Sequence, residues 1–271
     1  MNKTIAIIGC GNMGEALLKG LVSKKLFTRS RIIVSDNSDS RLRFIKKNYR
    51  VKVTASNVEA VKNCDIVILA IKPKDMRSVL SEIAQVARKK LIITKAAGVT
   101  IDFIKRKTGA KRVIRVMPNT PALIGFAMTA ISVEEGLKKS DINIAKNIYA
   151  CVGEITLLDE KYMDAVTAVS GSGPAYFFLL METMVDAAQG LGLKRDIALK
   201  LVTQTAFGAS LLQYSLAGEP SVLRENVTSK GGTTQAALEV FKKKGFASTI
   251  KVALKAAASR SKQLSCGIGK I

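Results

Sequence analysis

Residues 5–14 read IAIIGCGNMG, an apolar run that ends in the glycine spacing G-x-G-x-x-G and passes directly into helix-forming residues. A buried strand, a glycine turn and a helix start are the context in which this spacing predicts a dinucleotide site. Gly9 permits the tight turn, Gly11 lets the backbone approach a pyrophosphate, and Gly14 lets the helix pack against the strand. The free N–H groups and the positive dipole end of the helix would face the phosphates. A glycine turn without a ligand is the alternative, and both flanks argue against it.

Length and composition indicate a globular α/β protein. The chain has 271 residues, 48% of them hydrophobic, which is enough for one large domain or two ordinary ones. No apolar run approaches the ~18 residues needed to cross a bilayer. A strand begins within a few residues of the N-terminus, which leaves no room for a signal peptide. We therefore expect a soluble, cytoplasmic protein.

The formal net charge is +22, which by itself suggests a polyanion as partner. The lysines and arginines are spread along the whole chain, however, without a basic block or interleaved aromatic residues. We therefore predict no dedicated nucleic-acid or membrane partner. A lysine-rich proteome together with anionic ligands would explain the charge more simply, and the sequence does not decide the reason for it.

The cysteine and histidine content restricts the chemistry. Cys10, Cys64, Cys151 and Cys266 lie far apart with no paired spacing, which argues against a zinc site or a disulfide framework and favours free thiols. The chain contains no histidine, the commonest metal ligand and general acid–base. We predict no metal site, and any proton donor must be a hydroxyl, a lysine, a carboxylate, water or the substrate.

Apolar, β-branched runs at residues 31–35, 64–70, 91–93 and 112–117 alternate with helical segments in the first half. Continuous apolar strands that alternate with helices predict βαβ units and a doubly wound, mainly parallel sheet buried on both faces. The sequence therefore predicts a Rossmann-like N-terminal domain.

Ligands of such sheets bind beyond the carboxyl edge of the strands. At that predicted edge the chain reads AIKP at 70–73, AAG at 96–98 and MPNTP at 117–121. Small residues and constrained prolines suit a wall against which a flat nicotinamide could lie. Any one of these loops could be an ordinary connection that ends a strand. Three such loops at the same edge favour a ligand-binding site.

The loop after the second strand bears on the choice of cofactor. An acidic residue about 20 positions after the glycines binds the ribose diol of NAD, whereas a nearby arginine accommodates the phosphate of NADP. Asp36 fits the first role, and Arg41 or Arg43, with the neighbouring hydroxyls, fits the second. The sequence leaves NADH and NADPH both open at this point.

From residue 161 no strand pattern recurs, so we predict a division into a domain of residues 1–160 and an all-α domain of residues 161–271. The glycines and proline at 170–174 are predicted to break the chain before the first long helix. The predicted helices of the second half cover residues 175–190, 194–217, 221–227, 233–244 and 246–264. Residues 175–184 are apolar on nearly every face, which predicts that a second copy of the chain covers them in a dimer.

A second polar cluster, NVTSKGGTT, occupies residues 226–234. Hydroxyls surround two glycines just where a helix should start, an arrangement that binds carboxylates or phosphates through backbone N–H groups and the helix dipole. A helix start capped by threonine is the alternative, but it needs only one hydroxyl. The further hydroxyls favour a binding site.

Six motifs, in order and over nearly the whole chain, resemble those of pyrroline-5-carboxylate reductases. They are GCGNMG (9–14), AIKP (70–73), AAGVT (96–100), RVMPNTP (115–121), VSGSGPAYFF (169–178) and LRENVTSKGGTT (223–234). The resemblance implies reduction of the C=N bond of 1-pyrroline-5-carboxylate to L-proline, the last step of proline biosynthesis. It also implies NADPH as the preferred cofactor with NADH possible, and a helical dimerisation domain after the Rossmann domain. Dimers, often assembled into larger rings, would bind substrate where the two domains and two subunits meet.

The resemblance and the motifs together predict the site residues. The substrate carboxylate would bind at Ser229, Lys230, Gly231, Gly232 and Thr233, and the catalytic hydroxyl of Thr234 would hydrogen-bond the ring nitrogen. The predicted cofactor-binding residues are Ile8, Gly9, Cys10, Gly11, Asn12, Met13, Gly14, Asp36, Asn37, Arg41, Asn57, Ala70, Lys72, Pro73, Ala96, Ala97, Asn119 and Asn226.

The chain departs from the family pattern at two positions. Lys230 stands where many members carry proline, and Lys95 precedes AAG where a small or apolar residue is common. The sequence does not show the role of either lysine.

Two other functions are compatible with parts of the pattern. A hydroxyacid dehydrogenase shares the Rossmann-plus-helices plan, but the chain lacks histidine and a Gly-x-x-x-Asn-x-x-Lys motif on its long helix. A non-enzymatic module that senses the cofactor or binds a polyanion would leave the hydroxyl-rich turn at 228–234 without a purpose.

Overall fold

The computed structural model describes residues 1–134 and 136–269, the last five of them by backbone alone. Within these residues eight strands form one sheet. They are β1 (Ile5–Ile8), β2 (Ile32–Ser35), β3 (Lys52–Thr54), β4 (Ile66–Leu69), β5 (Leu91–Thr94), β6 (Arg112–Met117), β7 (Ala127–Ser132) and β8 (Gly153–Leu158). The α-helices are α1 (Asn12–Ser23), α2 (Asp39–Tyr49), α3 (Asn57–Lys62), α4 (Met76–Ala87), α5 (Ile101–Thr108), α6 (Lys139–Tyr149), α7 (Met163–Val166), α8 (Gly173–Gly190), α9 (Arg195–Leu216), α10 (Pro220–Asn226), α11 (Thr233–Lys243) and α12 (Phe246–Gly269).

The strand order is β3-β2-β1-β4-β5-β6-β7-β8. Neighbouring strands are parallel except β6 and β7, which run antiparallel. The predicted doubly wound, mainly parallel sheet is confirmed. The winding direction reverses between β1 and β4, and a sheet of this type places its ligand crevice at such a switch point.

Side chains of each central strand alternate between two apolar cores. Ile5 and Ile7 pack with α1 and α6 on one face, whereas Ala6 and Ile8 pack with α3, α4 and α5 on the other. Both faces are covered, which explains why β1 is apolar at every position. This burial holds the carboxyl ends of β1 and β4 in fixed register, Ile8 beside Leu69.

Two compact units make up the chain. Residues 1–172, together with the chain from Ala256 onward, form the first, and residues 173–255 form the second. The boundary between residues 160 and 161 that we predict for the two domains stays a prediction.

The predicted break at 170–174 is confined to Ser172, a bend between two helical segments. Residues Thr167–Gly171 form a π-helix, in which the Ser172 N–H donates to the Thr167 carbonyl oxygen at 2.8 Å, and α8 begins at Gly173. The wide i→i+5 turn keeps the backbone bonded through the glycine-rich stretch. Pro174 lies in the first turn of α8, where its missing N–H has no helical acceptor to lose.

The helices predicted for the second half are confirmed to within a few residues. In α8 the side chains of Phe177, Phe178 and Leu179 are more than 60% exposed, so the described residues do not cover the apolar segment 175–184. The small core of this unit is formed by Val185 of α8 against α9.

In the described residues no helix is both long enough and apolar enough to cross a bilayer. Cys10, Cys64 and Cys151 are free thiols, and the side chain of Cys266 lies outside the described part of the chain. The cytoplasmic location expected from the sequence stays a prediction.

Candidate functional site

A cleft of about 840 Å³ lies at the switch point of the sheet, entirely within the first unit. This volume is typical of a site for a cofactor-sized ligand. Its lining consists of Ile8, Gly9, Gly11, Asn12, Met13, Ser35, Asp36, Asn37, Asn57, Ala70, Ile71, Lys72, Lys74, Asp75, Val79, Lys95, Thr120 and Leu123. Ten of the residues predicted to bind cofactor are thus brought together.

The glycine turn forms the floor of this cleft. Gly9 has φ +83°, and its N–H donates to the Ser35 carbonyl oxygen at 2.8 Å. A Cβ at Gly14 would lie far inside van der Waals distance of the Gly9 carbonyl oxygen, so only glycine permits this contact between helix and turn. A Cβ at Gly11 would meet no protein atom within 4 Å. The backbone at Gly11 is therefore open to a ligand.

Helix α1 begins beside the cleft without a side-chain cap. Its N-cap residue is Gly11, and the N–H groups of Asn12 and Met13 have no partner among the described residues. Unsatisfied first-turn N–H groups and the helix dipole together favour a bound anion. The turn therefore has the chemistry of a diphosphate site.

Asp36 lines the cleft at the end of β2, as the sequence predicts. One carboxylate oxygen accepts the Cys10 N–H at 2.7 Å, and the other accepts the Ser38 N–H at 3.0 Å. Asn57 also lines the cleft, where its amide accepts the Ser35 hydroxyl and donates to Glu82. These bonds fix both side chains before any ligand binds. Their contacts with a ribose stay predictions.

Arg41 does not line the cleft. Its guanidinium forms an ion pair with Glu15 and donates to the Cys10 carbonyl oxygen at 2.5 Å. Glu15 also accepts the Tyr49 hydroxyl at 2.7 Å. Burial raises the pKa of the Glu15 carboxyl, but the hydrogen bonds from Tyr49 and Arg41 outweigh it, and the pKa lies below its ordinary value. In the structure Arg41 buttresses the glycine turn, and its predicted contact with cofactor stays a prediction.

We expect Glu15→Gln to lower the free energy of unfolding at pH 7 by about 1 kcal/mol, because two hydrogen bonds to a carboxylate become weaker. The folded-state pKa of Glu15 is depressed, so this stability is present above the ordinary glutamate pKa and is lost as pH falls through the folded value. Urea unfolding at several pH values should show the two proteins converging in acid. Exposed Glu154, which has no polar partner among the described residues, provides the control Glu154→Gln. A constant difference between wild type and Glu15→Gln at every pH would contradict this interpretation.

The other residues predicted to bind cofactor do not line the cleft. Asn119 is held by its own chain: its amide donates to Ser170, and its oxygen accepts the Met128 N–H at 2.9 Å. Cys10 is fully buried, and burial raises the pKa of its thiol to about 12, so the side chain is neutral and unreactive at pH 7. The rest of this set is Gly14, Pro73, Ala96, Ala97 and, in the second unit, Asn226. Their roles stay predictions.

Sequence reasoning missed eight residues of the lining: Ser35, Ile71, Lys74, Asp75, Val79, Lys95, Thr120 and Leu123. Most of them directly flank predicted residues at the carboxyl ends of the strands, and this position is a signal that could have found them. Val79 lies within α4 and Leu123 within a 3₁₀ turn. Their place in the cleft depends on packing, for which the sequence carries no local signal.

The hydroxyl-rich turn lies in the second unit, before α11. Its Gly231 has φ +73°, and the N–H of that glycine donates to the side chain of Gln235 at 2.7 Å. No side chain caps α11, whose N-cap residue is Gly232. The hydroxyls of Ser229, Thr233 and Thr234 have no hydrogen-bond partner among the described residues. The alternative, a helix start capped by threonine, is therefore not observed. The three hydroxyls remain available to donate hydrogen bonds to a ligand.

Two family models match separate parts of the chain. One, described as pyrroline-5-carboxylate reductase dimerisation, covers residues 160–264, and the other, described as NADP oxidoreductase coenzyme F420-dependent, covers residues 4–98. A pyrroline-5-carboxylate reductase of Synechocystis sp. is 39% identical over 97% of this chain and 99% of its own length. The chain belongs to the pyrroline-5-carboxylate reductase family.

Solved structures of the pyrroline-5-carboxylate reductase family agree. A pyrroline-5-carboxylate reductase from Coxiella burnetii has a TM-score of 0.90 at 34% identity and covers 98% of this chain and 99% of that one. A pyrroline carboxylate reductase from Plasmodium falciparum, solved with NADP bound, has a TM-score of 0.88 at 31% identity and covers 97% and 98%. The predicted family is confirmed, as is the plan of a Rossmann-like domain followed by a helical one. The two rival functions have no support from these matches.

Proposed function

We propose that this protein reduces 1-pyrroline-5-carboxylate to L-proline with NADPH as the preferred cofactor and NADH as a possible one. The glycine cradle at the switch point, in a chain of this family, is the observation that carries the proposal. The relative from Plasmodium falciparum was solved with NADP, which supports the phosphorylated cofactor.

The residues of the cleft fit a nicotinamide dinucleotide. The uncapped N–H groups of Asn12 and Met13 and the open backbone at Gly11 would hold the diphosphate, and Asp36 and Asn37 would lie beside the adenine ribose. Ala70, Lys72 and neighbouring loop residues would form the wall for the nicotinamide. When bound, the cofactor supplies the hydride.

The turn before α11 has the groups that the substrate needs. Backbone N–H groups at the helix start, with the hydroxyls of Ser229 and Thr233, can bind the substrate carboxylate. Exposed Lys230 adds positive charge to the same turn. With Ser229, Thr233 and Lys230 assigned to the carboxylate, the hydroxyl of Thr234 is available to hydrogen-bond the ring nitrogen.

Imine chemistry explains the role of Thr234. The carbon of a C=N bond accepts hydride readily only when its nitrogen is protonated or strongly hydrogen-bonded. A positioned hydroxyl that donates to the nitrogen or relays a proton contributes about 10²- to 10³-fold to the rate, within the range of general acid catalysis. Holding the imine in a reactive orientation contributes more, ~7 kcal/mol or above in favourable cases.

We also propose that the helices of residues 161–271 form a homodimer or a higher homo-oligomer. The support is the dimerisation model that matches this part of the chain and the exposed apolar side chains of α8, such as Phe177 and Phe178. Large exposed apolar patches of this kind mark protein–protein contacts. Light scattering on the purified protein should give the mass of two or more chains, and a stable, active monomer would contradict the proposal.

The test of the proposed function is oxidation of NADPH by purified protein in the presence of 1-pyrroline-5-carboxylate, with L-proline measured as product. We expect one proline for each NADPH oxidised, and no oxidation with 2-oxo acids, the substrates on which a hydroxyacid dehydrogenase would consume NADPH. A parallel series with NADH gives the ratio of the two Michaelis constants. Failure to form proline at saturating substrate and cofactor would contradict the proposal.

A further inference from the structure

Lys95 lines the cleft, and no described residue neutralises its positive charge. It follows β5 directly, and its N–H donates to the carbonyl oxygen of Leu69 at the end of β4. The side chain is half-buried and lines the cleft. A cation therefore stands one strand away from Ala70, in the wall proposed for the nicotinamide.

The ammonium of Lys95 has no hydrogen bond or ion pair with any described residue, whereas comparable lysines of the same unit are paired. Half-buried Lys90 donates to the carbonyl oxygens of Lys62 and Cys64, and half-buried Lys105 forms an ion pair with Glu134. Burial alone lowers the pKa of Lys95 below its ordinary value. Removing an ammonium from water without a partner is unfavourable, so this charge destabilises the ligand-free protein.

Acidic residues of the cleft do not neutralise Lys95. Both carboxylate oxygens of Asp36 accept backbone N–H groups, and Asp75 is exposed and forms no ion pair with a described lysine. The other two lysines of the lining, Lys72 and Lys74, are exposed to solvent. Among the described residues, Lys95 is therefore the only half-buried lysine of the cleft, and no acidic side chain pairs with it. A bound ligand can supply the missing partner.

We propose that the Lys95 ammonium binds an anionic oxygen of the ligand held in the cleft and thereby positions that ligand. The inference rests on the proposed function, whose two ligands both carry anionic oxygens: the cofactor on its phosphates and the substrate on its carboxylate. Both present the same chemistry to a lysine, and the two arms of the experiment distinguish them. Lys95 is thus a positioning residue. A small or apolar side chain at this place could not make the same contact.

The test compares Lys95→Met, which keeps the length of the side chain without its charge, with Lys47→Met at an exposed site of α2 outside the cleft. Calorimetric titration with NADP⁺ is the first arm, and titration of the NADP⁺-loaded protein with L-proline is the second. We expect Lys95→Met to weaken one of the two ligands about 10- to 100-fold, the range of a hydrogen bond to a charged group. Lys47→Met should change either affinity by about threefold at most, since an exposed charge outside the cleft contributes little. A loss in the first arm assigns the partner to a phosphate, and a loss confined to the second assigns it to a carboxylate.

A second readout separates ligand binding from a structural role. Removal of an unpaired, half-buried charge should leave the melting temperature of the ligand-free protein unchanged or raise it, and Lys95→Arg should retain most of the ligand affinity. Unchanged affinities in both arms for Lys95→Met, or weaker binding together with a lower melting temperature, would overturn the inference. If the wild-type protein binds neither NADP⁺ nor NAD⁺, the proposed function fails. If wild type binds NADP⁺ and Lys95→Met binds both ligands equally well, only the role of Lys95 is removed.

Discussion

Replacing Gly14 with alanine is expected to weaken binding of NADP⁺ by about 10- to 100-fold and to lower the stability of the protein as well. The new Cβ would overlap the carbonyl oxygen of Gly9 and lie 3.5 Å from the Cβ of Ala70, so helix α1 must move away from the turn. Overpacking of this kind costs about 1–3 kcal/mol, and the displaced N–H groups of α1 no longer converge on one phosphate site. Calorimetric titration and thermal unfolding measure the two effects.

Gly11→Ala is the matched control within the same turn. Its φ of −67° suits alanine, and a Cβ there meets no protein atom within 4 Å, so the melting temperature should stay close to that of wild type. If the diphosphate approaches the backbone at Gly11, the methyl group takes its space, and NADP⁺ affinity should fall without a loss of stability. Wild-type affinity in Gly11→Ala would show that the ligand does not approach there, and wild-type stability in Gly14→Ala would contradict the packing role of Gly14.

Thr234→Ala is expected to lower kcat for reduction of 1-pyrroline-5-carboxylate by about 10²- to 10³-fold, the contribution of a positioned hydroxyl to proton transfer. The dissociation constant for NADP⁺ should change little, because Thr234 is proposed to contact the ring nitrogen of the substrate and not the cofactor. The hydroxyl has no hydrogen-bond partner among the described residues, so its removal should leave the melting temperature near that of wild type. Steady-state kinetics at saturating cofactor give kcat and KM separately.

Two variants at the same turn sharpen this test. Thr234→Ser keeps the hydroxyl and should recover most of kcat, whereas Thr233→Ala, one position earlier, should raise KM more than it lowers kcat because Thr233 is proposed to bind the carboxylate. Near-normal kcat in Thr234→Ala with saturating substrate would remove Thr234 from the mechanism. Equal loss in Thr234→Ala and Thr234→Ser would show that the position matters for packing and not for its hydroxyl.

The glycine turn and the sheet were predictable because their signals are local or periodic. Gly14 is required by its contact with the Gly9 carbonyl oxygen five residues earlier, and Gly9 is favoured by its own φ of +83°. Each apolar run between β1 and β6 matches one strand buried on both faces. The break predicted at 170–174 is longer than the bend that the structure has at Ser172. A π-helix keeps that stretch bonded, and glycine and proline in sequence do not distinguish a wide helical turn from a loop.

Charged residues show where prediction from the sequence stops. Arg41 was a candidate for a cofactor phosphate by position, but in the fold it pairs with Glu15, 26 positions earlier in the chain. Asn119 lies in a predicted ligand loop, yet its amide bonds Ser170, 51 positions later. The sequence shows that a charged group or an amide is present. Its partner depends on which distant segment packs beside it in the folded chain.

The amino-acid sequence by itself determined the family, the Rossmann-like sheet with its glycine turn, and the helical second half, because strand periodicity, turn chemistry and family motifs are written in neighbouring residues. Only the tertiary structure decided which of the predicted residues line the cleft and that Lys95 is half-buried. It also decided that, among the described residues, the ammonium of Lys95 and the hydroxyls of Ser229, Thr233 and Thr234 have no partner. The physical reason is that burial and pairing are properties of contacts between segments far apart in the chain, which exist only once the sheet and its helices have packed.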